Sequence, residues 1–158
     1  MVRAKRLGSI LLVISILLCA CAPFQYLDGA PQTVQDYYRE YVEASKIDHG
    51  DAIREYEYIE NEETKALLIA HYTGTRYVDA EILTWEQLSD LLWAVEETTT
   101  ITNNGGETYT AWHFVCIVDG EYKVVKNAWH VPAELQEGLD LSPYWPPGEP
   151  WEDYYPVV

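Results

Sequence analysis

Basic residues are scarce in this chain. Lys and Arg number 10 against 26 Asp and Glu, for a formal net charge of −16. Such a surface is repelled by nucleic acid and by anionic headgroups, so neither is expected as a partner held by charge. Cysteine is also scarce: Cys19 and Cys21 stand two apart and Cys116 stands alone. A disulfide across one intervening residue would be badly strained, and a metal clip would need further ligands that are not nearby. No apolar run reaches the roughly 20 residues that a membrane-crossing helix needs. His49, His71, His113 and His130 include no pair at H-x-x-x-H spacing, so no metal site is expected from them. The acidic clusters at 60–63 and 96–97 lack calcium-loop spacing. There is no nucleophile elbow, phosphate loop or dinucleotide fingerprint, and nothing calls for a cofactor.

What is present begins at the N-terminus. Arg3, Lys5 and Arg6 precede an almost wholly apolar stretch, Leu7 to Ala20, which has the layout of a secretory signal. Its last residues, Leu18-Cys19-Ala20-Cys21, resemble the lipobox of bacterial lipoproteins. The resemblance implies cleavage before Cys21, a diacylglycerol on its sulfur, and an extracytoplasmic protein anchored to the bacterial cell membrane. Cys19 would leave with the signal. Three bases and no acid would leave too, taking the charge from −16 to −19. The lipid would then hold the protein at the membrane, since its surface would not. Cys116, in an apolar run, reads as a lone buried thiol, so the fold depends on its core and not on disulfides.

The remainder has the size of one domain. Residues 1–20 are read as the signal, 21–32 as a tether, 33–140 as the domain, and 141–158 as a tail. Thr33 and Asp36 suggest a capping box. Val34, Tyr37, Tyr38, Tyr41 and Val42 form one stripe of an amphipathic helix. "DHG" at 48–50 ends that helix, and Asp51 can cap a second one. A third, Glu62 to Tyr72, stops before Gly74. From Thr75 the chain turns to β-branched and aromatic residues, predicting strands at 76–87, 91–102, 107–118 and 121–127. Asp119-Gly120 is a two-residue hairpin turn, and "TITNNGGETYT" is a second, looser hairpin. Within "TWEQLSDLLWAVEE" the pattern alone fits helix and strand equally. The tail holds five of the eight prolines with two tryptophans and three tyrosines. It is neither helix nor central strand, and it either frays or docks.

Helices followed by a meander ending in "AWHFVCIVDGEYKVVKNAWHVPAEL" resemble the nuclear transport factor 2-like superfamily, and more narrowly its bacterial lipoprotein members. The resemblance covers about residues 33–136. It implies an α+β cone in which a curved four-stranded antiparallel sheet wraps a long first helix, with strands through 85–97. One departure is that no clear short strand lies between the early helices. Function is not carried by the fold.

Hairpin geometry sharpens the expectation. A two-residue turn at Asp119-Gly120 places Ile117 opposite Tyr122, Val115 opposite Val124 and His113 opposite Lys126. A turn centred on Asn104-Gly105 places Val115 opposite Ala94 and His113 opposite Glu96. Leu92 and Ala94 then face the helices, and the polar row Glu96, His113 and Lys126 sits near Tyr38 at the mouth of the cone. That row is a candidate ligand-binding site or a rim salt bridge. Trp93, Val95, Trp112, Phe114, Cys116 and Val125 fall on the other face, an apolar patch too large to stay exposed. A homodimer, or the tail with Tyr144, Trp145 and Trp151, is expected to cover it.

The overall expectation is a lipid-anchored binding module that docks another envelope protein or a second copy of itself. Two alternatives stay open. One is a small apolar ligand inside the cone. The other is an isomerase- or dehydratase-like enzyme using Glu96, His113 and Tyr38 as base, partner and proton donor.

Overall fold

A computed structural model of the protein describes residues 26–102, 106 and 108–145. Cys21 and Trp151 lie outside the described residues. The first helix, α1, spans Gln32–Ile47 and buries Val34, Tyr38, Tyr41 and Val42, the expected stripe, with Tyr37 half-buried. Its cap is not the expected one. Pro31 occupies the N-cap position, and its carbonyl accepts from the amides of Val34 and Gln35, each at 3.1 Å. Thr33 therefore sits in the first turn, where its hydroxyl lies 3.3 Å from the Tyr122 hydroxyl, and Asp36 pairs with Arg39.

Asp48 joins α1 to α2 (His49–Tyr56). One carboxylate oxygen accepts from the Asp51 amide at 3.2 Å and the other from the Gly74 amide at 2.8 Å. Asp48, not Asp51, is thus the cap, and His49-Gly50 begins the second helix instead of ending the first. Helix α3 spans Glu62–Tyr72 as expected, capped by Asn61, whose side chain accepts from the Thr64 amide at 2.8 Å.

The sheet is a four-stranded antiparallel meander, β1 (Tyr77–Ser89), β2 (Leu92–Ile101), β3 (Thr108–Val118) and β4 (Glu121–Val125), in that order. With α1 and α2 packed on one face, the fold is α+β. The ambiguous 85–97 region is strand, folded back at Asp90-Leu91. Strand β1 has three register shifts, which leave Val78, Leu83 and Leu88 without partners on β2. Such bulges bend a strand and raise its twist, and here they curve β1 past α1. Asp119 and Gly120 both have positive φ, 53° and 81°, as a tight hairpin turn requires. In place of a short strand between the early helices there is a single parallel bridge, Glu57 to Val124, with the Tyr58 amide donating to the Val124 carbonyl at 2.9 Å.

The β3–β4 register is as expected, with Ile117 opposite Tyr122 and Val115 opposite Val124. The β2–β3 register is not. Val115 pairs with Trp93 and His113 with Val95, because seven residues, not an even-numbered turn, separate the paired Thr100 and Thr108. A one-residue slip moves every side chain of a strand to the other face. Trp93 and Val95, expected on the outer face, are buried against α1 with Tyr38, Tyr41, Tyr77, Trp85, Val115 and Val124. Leu92 and Ala94, expected inside, join Phe114, Cys116 and Val125 outside.

That outer layer is covered by the chain's own continuation. Ala128, Val131 and Leu141 are buried in it, and the Tyr144 ring meets Trp112 at 5.0 Å and Phe114 at 5.9 Å. The first residues of the expected tail are therefore part of the fold. Trp145, half-exposed, contacts Trp129 at 5.7 Å.

Candidate functional site

The inner face of β2 runs Trp93, Val95, Glu97, Thr99, so the carboxylate inside the cone is Glu97 and not Glu96. Glu96 pairs with Trp112 and is half-buried. Tyr38, from the middle of α1, reaches across to this face. Its hydroxyl lies 3.1 Å from Glu97 Oε2 and 2.6 Å from His113 Nδ1. Thr99 donates to the other Glu97 oxygen.

Counting protons sets the direction of this chain. Tyr38 has one proton to give. If Glu97 accepts it as a carboxylate, the short contact to His113 requires Nδ1–H donating to the Tyr38 oxygen. A neutral histidine protonated on Nδ1 satisfies every contact. Burial first, then the neighbouring Lys126, hold the His113 pKa well below its usual 6.5. The 3.8 Å approach of His113 Nδ1 to Glu97 is therefore not an ion pair at neutral pH.

Lys126 follows the last β3–β4 pair, Phe114 with Val125. Its ammonium donates to Tyr77 Oη at 2.6 Å and to Tyr41 Oη at 3.1 Å. Tyr41 donates to Glu57 Oε1 at 2.7 Å, and the two tyrosine oxygens are 3.2 Å apart. Burial pushes Glu57 up, opposed by Lys126 and by the Tyr41 hydrogen bond. Burial pushes Lys126 down, opposed by Glu57 and Glu97. Tyr38, Tyr41 and Tyr77 are all held well above 10, by burial first, and remain donors. His49 completes the cluster. Its ring packs against Tyr77 and Tyr72 at 4.9 and 5.0 Å, and its Nδ1 lies 3.2 Å from the Ser45 hydroxyl. Burial, with Lys126 second, lowers its pKa to about 3.

Three of the four expected site residues, Tyr38, His113 and Lys126, thus meet inside the cone, and Glu97 takes the place of Glu96. All members of the cluster are buried except Lys126, which is half-buried. The indole N–H groups of Trp85 and Trp93, in the same core, find no acceptor among the described residues. A groove of about 350 Å³, open to solvent, runs between α1 and β1, lined by Gln35, Arg39, Val42, Lys46 and Ile82. Its two cations are engaged with Asp36 and Glu43. Among the described residues, no group of His, Cys, Asp and Glu side chains is placed to hold a metal ion.

Sequence reasoning missed Glu57, Tyr41, Tyr77 and His49 as members of the polar core. Tyr41 carried a signal, standing three residues after Tyr38 on the same stripe. Glu57 carried none, since it becomes internal only through its bridge to β4. No protein-family model, curated protein or solved structure matches this chain.

Proposed function

We propose that this is a lipid-anchored extracytoplasmic protein whose domain binds another envelope protein through its surface. The observation that carries the reading is the hydrogen-bonded polar interior. Tyr38, Tyr41, Tyr77, Glu57, Glu97, His113 and Lys126 are committed to one another by hydrogen bonds inside the cone. An apolar ligand there would have to displace buried tyrosines and leave charged groups unpaired, at a cost of several kcal/mol. The lipobox at Cys21 supports the address.

The outer edge of β1 is the best-supported contact region. Val78 is 61 % and Leu83 42 % exposed on that edge strand, and both are bulge residues without partners on β2. Edge strands offer unpaired backbone groups to an added strand. The exposed acids Asp79, Glu81 and Glu86, with no Lys or Arg in β1, favour an extended basic segment as the occupant.

A photo-crosslinking residue placed at Val78 or Leu83 in the anchored full chain tests this in intact cells. A discrete protein adduct from these positions, absent from a control position on α3, is expected. A co-purifying small molecule in native mass spectrometry, with no adduct from β1, would replace this reading with ligand binding.

A further inference from the structure

The outer strand β1 has two faces of different chemistry along its free edge. Between its register shifts at Tyr77/Asp79 and Ile82/Thr84 it runs regularly, with Asp79, Ala80, Glu81 and Ile82 opposite Thr100, Thr99, Thr98 and Glu97. Successive side chains of a strand point to opposite faces. Ala80 and Ile82 share the inner face with the buried Thr99 and Glu97 and pack on the core. Asp79 and Glu81 are exposed on the outer face. Asp79 accepts from the Ala80 amide at 3.0 Å. Neither acid pairs with a cation among the described residues.

The groove between α1 and β1 lies along this same stretch. Leu27, Val42, Ala80 and Ile82 give it apolar walls, and its cations Arg39 and Lys46 are held by Asp36 and Glu43. At about 350 Å³ it has room for more than one aliphatic side chain. The chain before α1 closes one end of it. The Gln35 side chain, buried in α1, accepts from the Leu27 amide at 3.0 Å and donates to the carbonyls of Leu27 and Ala30 at 2.5 and 2.9 Å. Tyr26 donates to Asp36 at 2.8 Å. Gly29, with φ +101°, lies so close to β1 that a Cβ there would overlap the Trp85 carbonyl oxygen. Residues 26–31 are therefore part of the fold and not a tether, and the free stretch of edge lies on the Val78 side of Trp85.

We propose that this edge takes an extended segment in which basic and aliphatic residues alternate. The proposal rests on the surface-binding reading above and deepens it. A strand added beside β1 faces Asp79 and Glu81 with every second side chain and fills the groove with those between. Lysine or arginine at the outer positions meets the two uncompensated carboxylates. Valine, isoleucine or leucine at the inner positions covers Ala80 and Ile82. A second copy of this chain does not fit, because its β1 would set Asp79 and Glu81 against the same acids. Residues 146–158 of the chain itself, with Glu149, Glu152 and Asp153 and no base, are disfavoured by the same charge.

Short fluorescent peptides test this by anisotropy on the full chain in neutral detergent. One alternates lysine and valine, and the other carries the same residues in two blocks. The alternating peptide is expected to bind at least about fivefold more tightly. N-methylation along its backbone should abolish binding, since an added strand is held by main-chain hydrogen bonds. Asp79→Asn with Glu81→Gln should erase the preference. Glu62→Gln with Glu63→Gln, the same change of charge at exposed positions on α3, should keep it. Equal binding of the two peptides, binding that survives N-methylation, or no binding overturns the alternating segment. So does a preference that persists in the Asp79 and Glu81 variant. The parent reading is judged separately: an adduct from Val78 or Leu83 in cells, with these peptide results negative, would leave surface binding standing with a partner of other chemistry.

Discussion

Tyr38 Oη stands 2.6 Å from His113 Nδ1 and 3.1 Å from Glu97 Oε2, joining the first helix to the second and third strands at the centre of the cone. The contact spans 75 residues of sequence on one side and 59 on the other. It exists only when the β2–β3 register points Glu97 inward. Because the pair of β2 carboxylates straddles the sheet, neighbouring substitutions should differ sharply.

Glu97→Gln should destabilise the protein by about 1.5–3 kcal/mol, the usual cost of weakening charge-assisted hydrogen bonds in a buried site. Glu96→Gln should stay within about 0.5 kcal/mol. Urea denaturation of the soluble domain compares the two. Equal effects would mean that the register is wrong.

Acid should unfold the protein through its buried histidines. The folded pKa of His49 is lowered to about 3 and that of His113 lies well below 6.5. The unfolded chain therefore binds more protons below about 6.5, and stability falls as pH drops from there toward the folded values. Glu57, raised by burial, acts in the opposite sense just above its ordinary 4.5. His130 is lowered by burial as well; His49→Phe removes one of these three contributions, so its denaturation midpoint should fall less steeply between pH 7 and 5 than that of the parent.

Much of this architecture was legible. The Asp119-Gly120 turn, with its one permitted geometry, set the β3–β4 pairing, and the stripe on α1 predicted its buried face. The β2–β3 register was not legible, because the parity of the 101–107 connection decides it and asparagine-glycine pairs suggest an even turn. Nor was the strand at 85–97 readable from pattern alone. Leu92, Trp93, Ala94 and Val95 are all buried, so β2 has apolar contacts on both faces and shows no alternation. Gln35 was invisible for another reason. A polar residue beside the apolar stripe gives no hint that it will staple the preceding chain.

The C-terminal cover gives a graded prediction. Truncation after Trp145 keeps Leu141 and Tyr144, the part of the cover that lies among the described residues. Truncation after Asp140 should lower the melting temperature or cause association, by exposing Phe114, Cys116 and Val125. Leu141→Ala should cost about 2–5 kcal/mol as a buried leucine truncation. Light scattering and thermal melts distinguish these outcomes.

Acylation is expected at one cysteine only. Cys21→Ser should abolish fatty-acid labelling and release the protein from membranes, whereas Cys19→Ser should leave both unchanged. A diacyl group supplies the stable anchoring that a single chain does not.

The most direct test of a hydrogen-bonded polar interior is the protonation state of His113 by nitrogen NMR. The expected result is a neutral ring with its proton on Nδ1 and a titration moved well below 6.5. A His113 that titrates near 6.5, or carries its proton on Nε2 alone, would contradict the closed chain from His113 through Tyr38 to Glu97. It would then open the cone to solvent and to ligands.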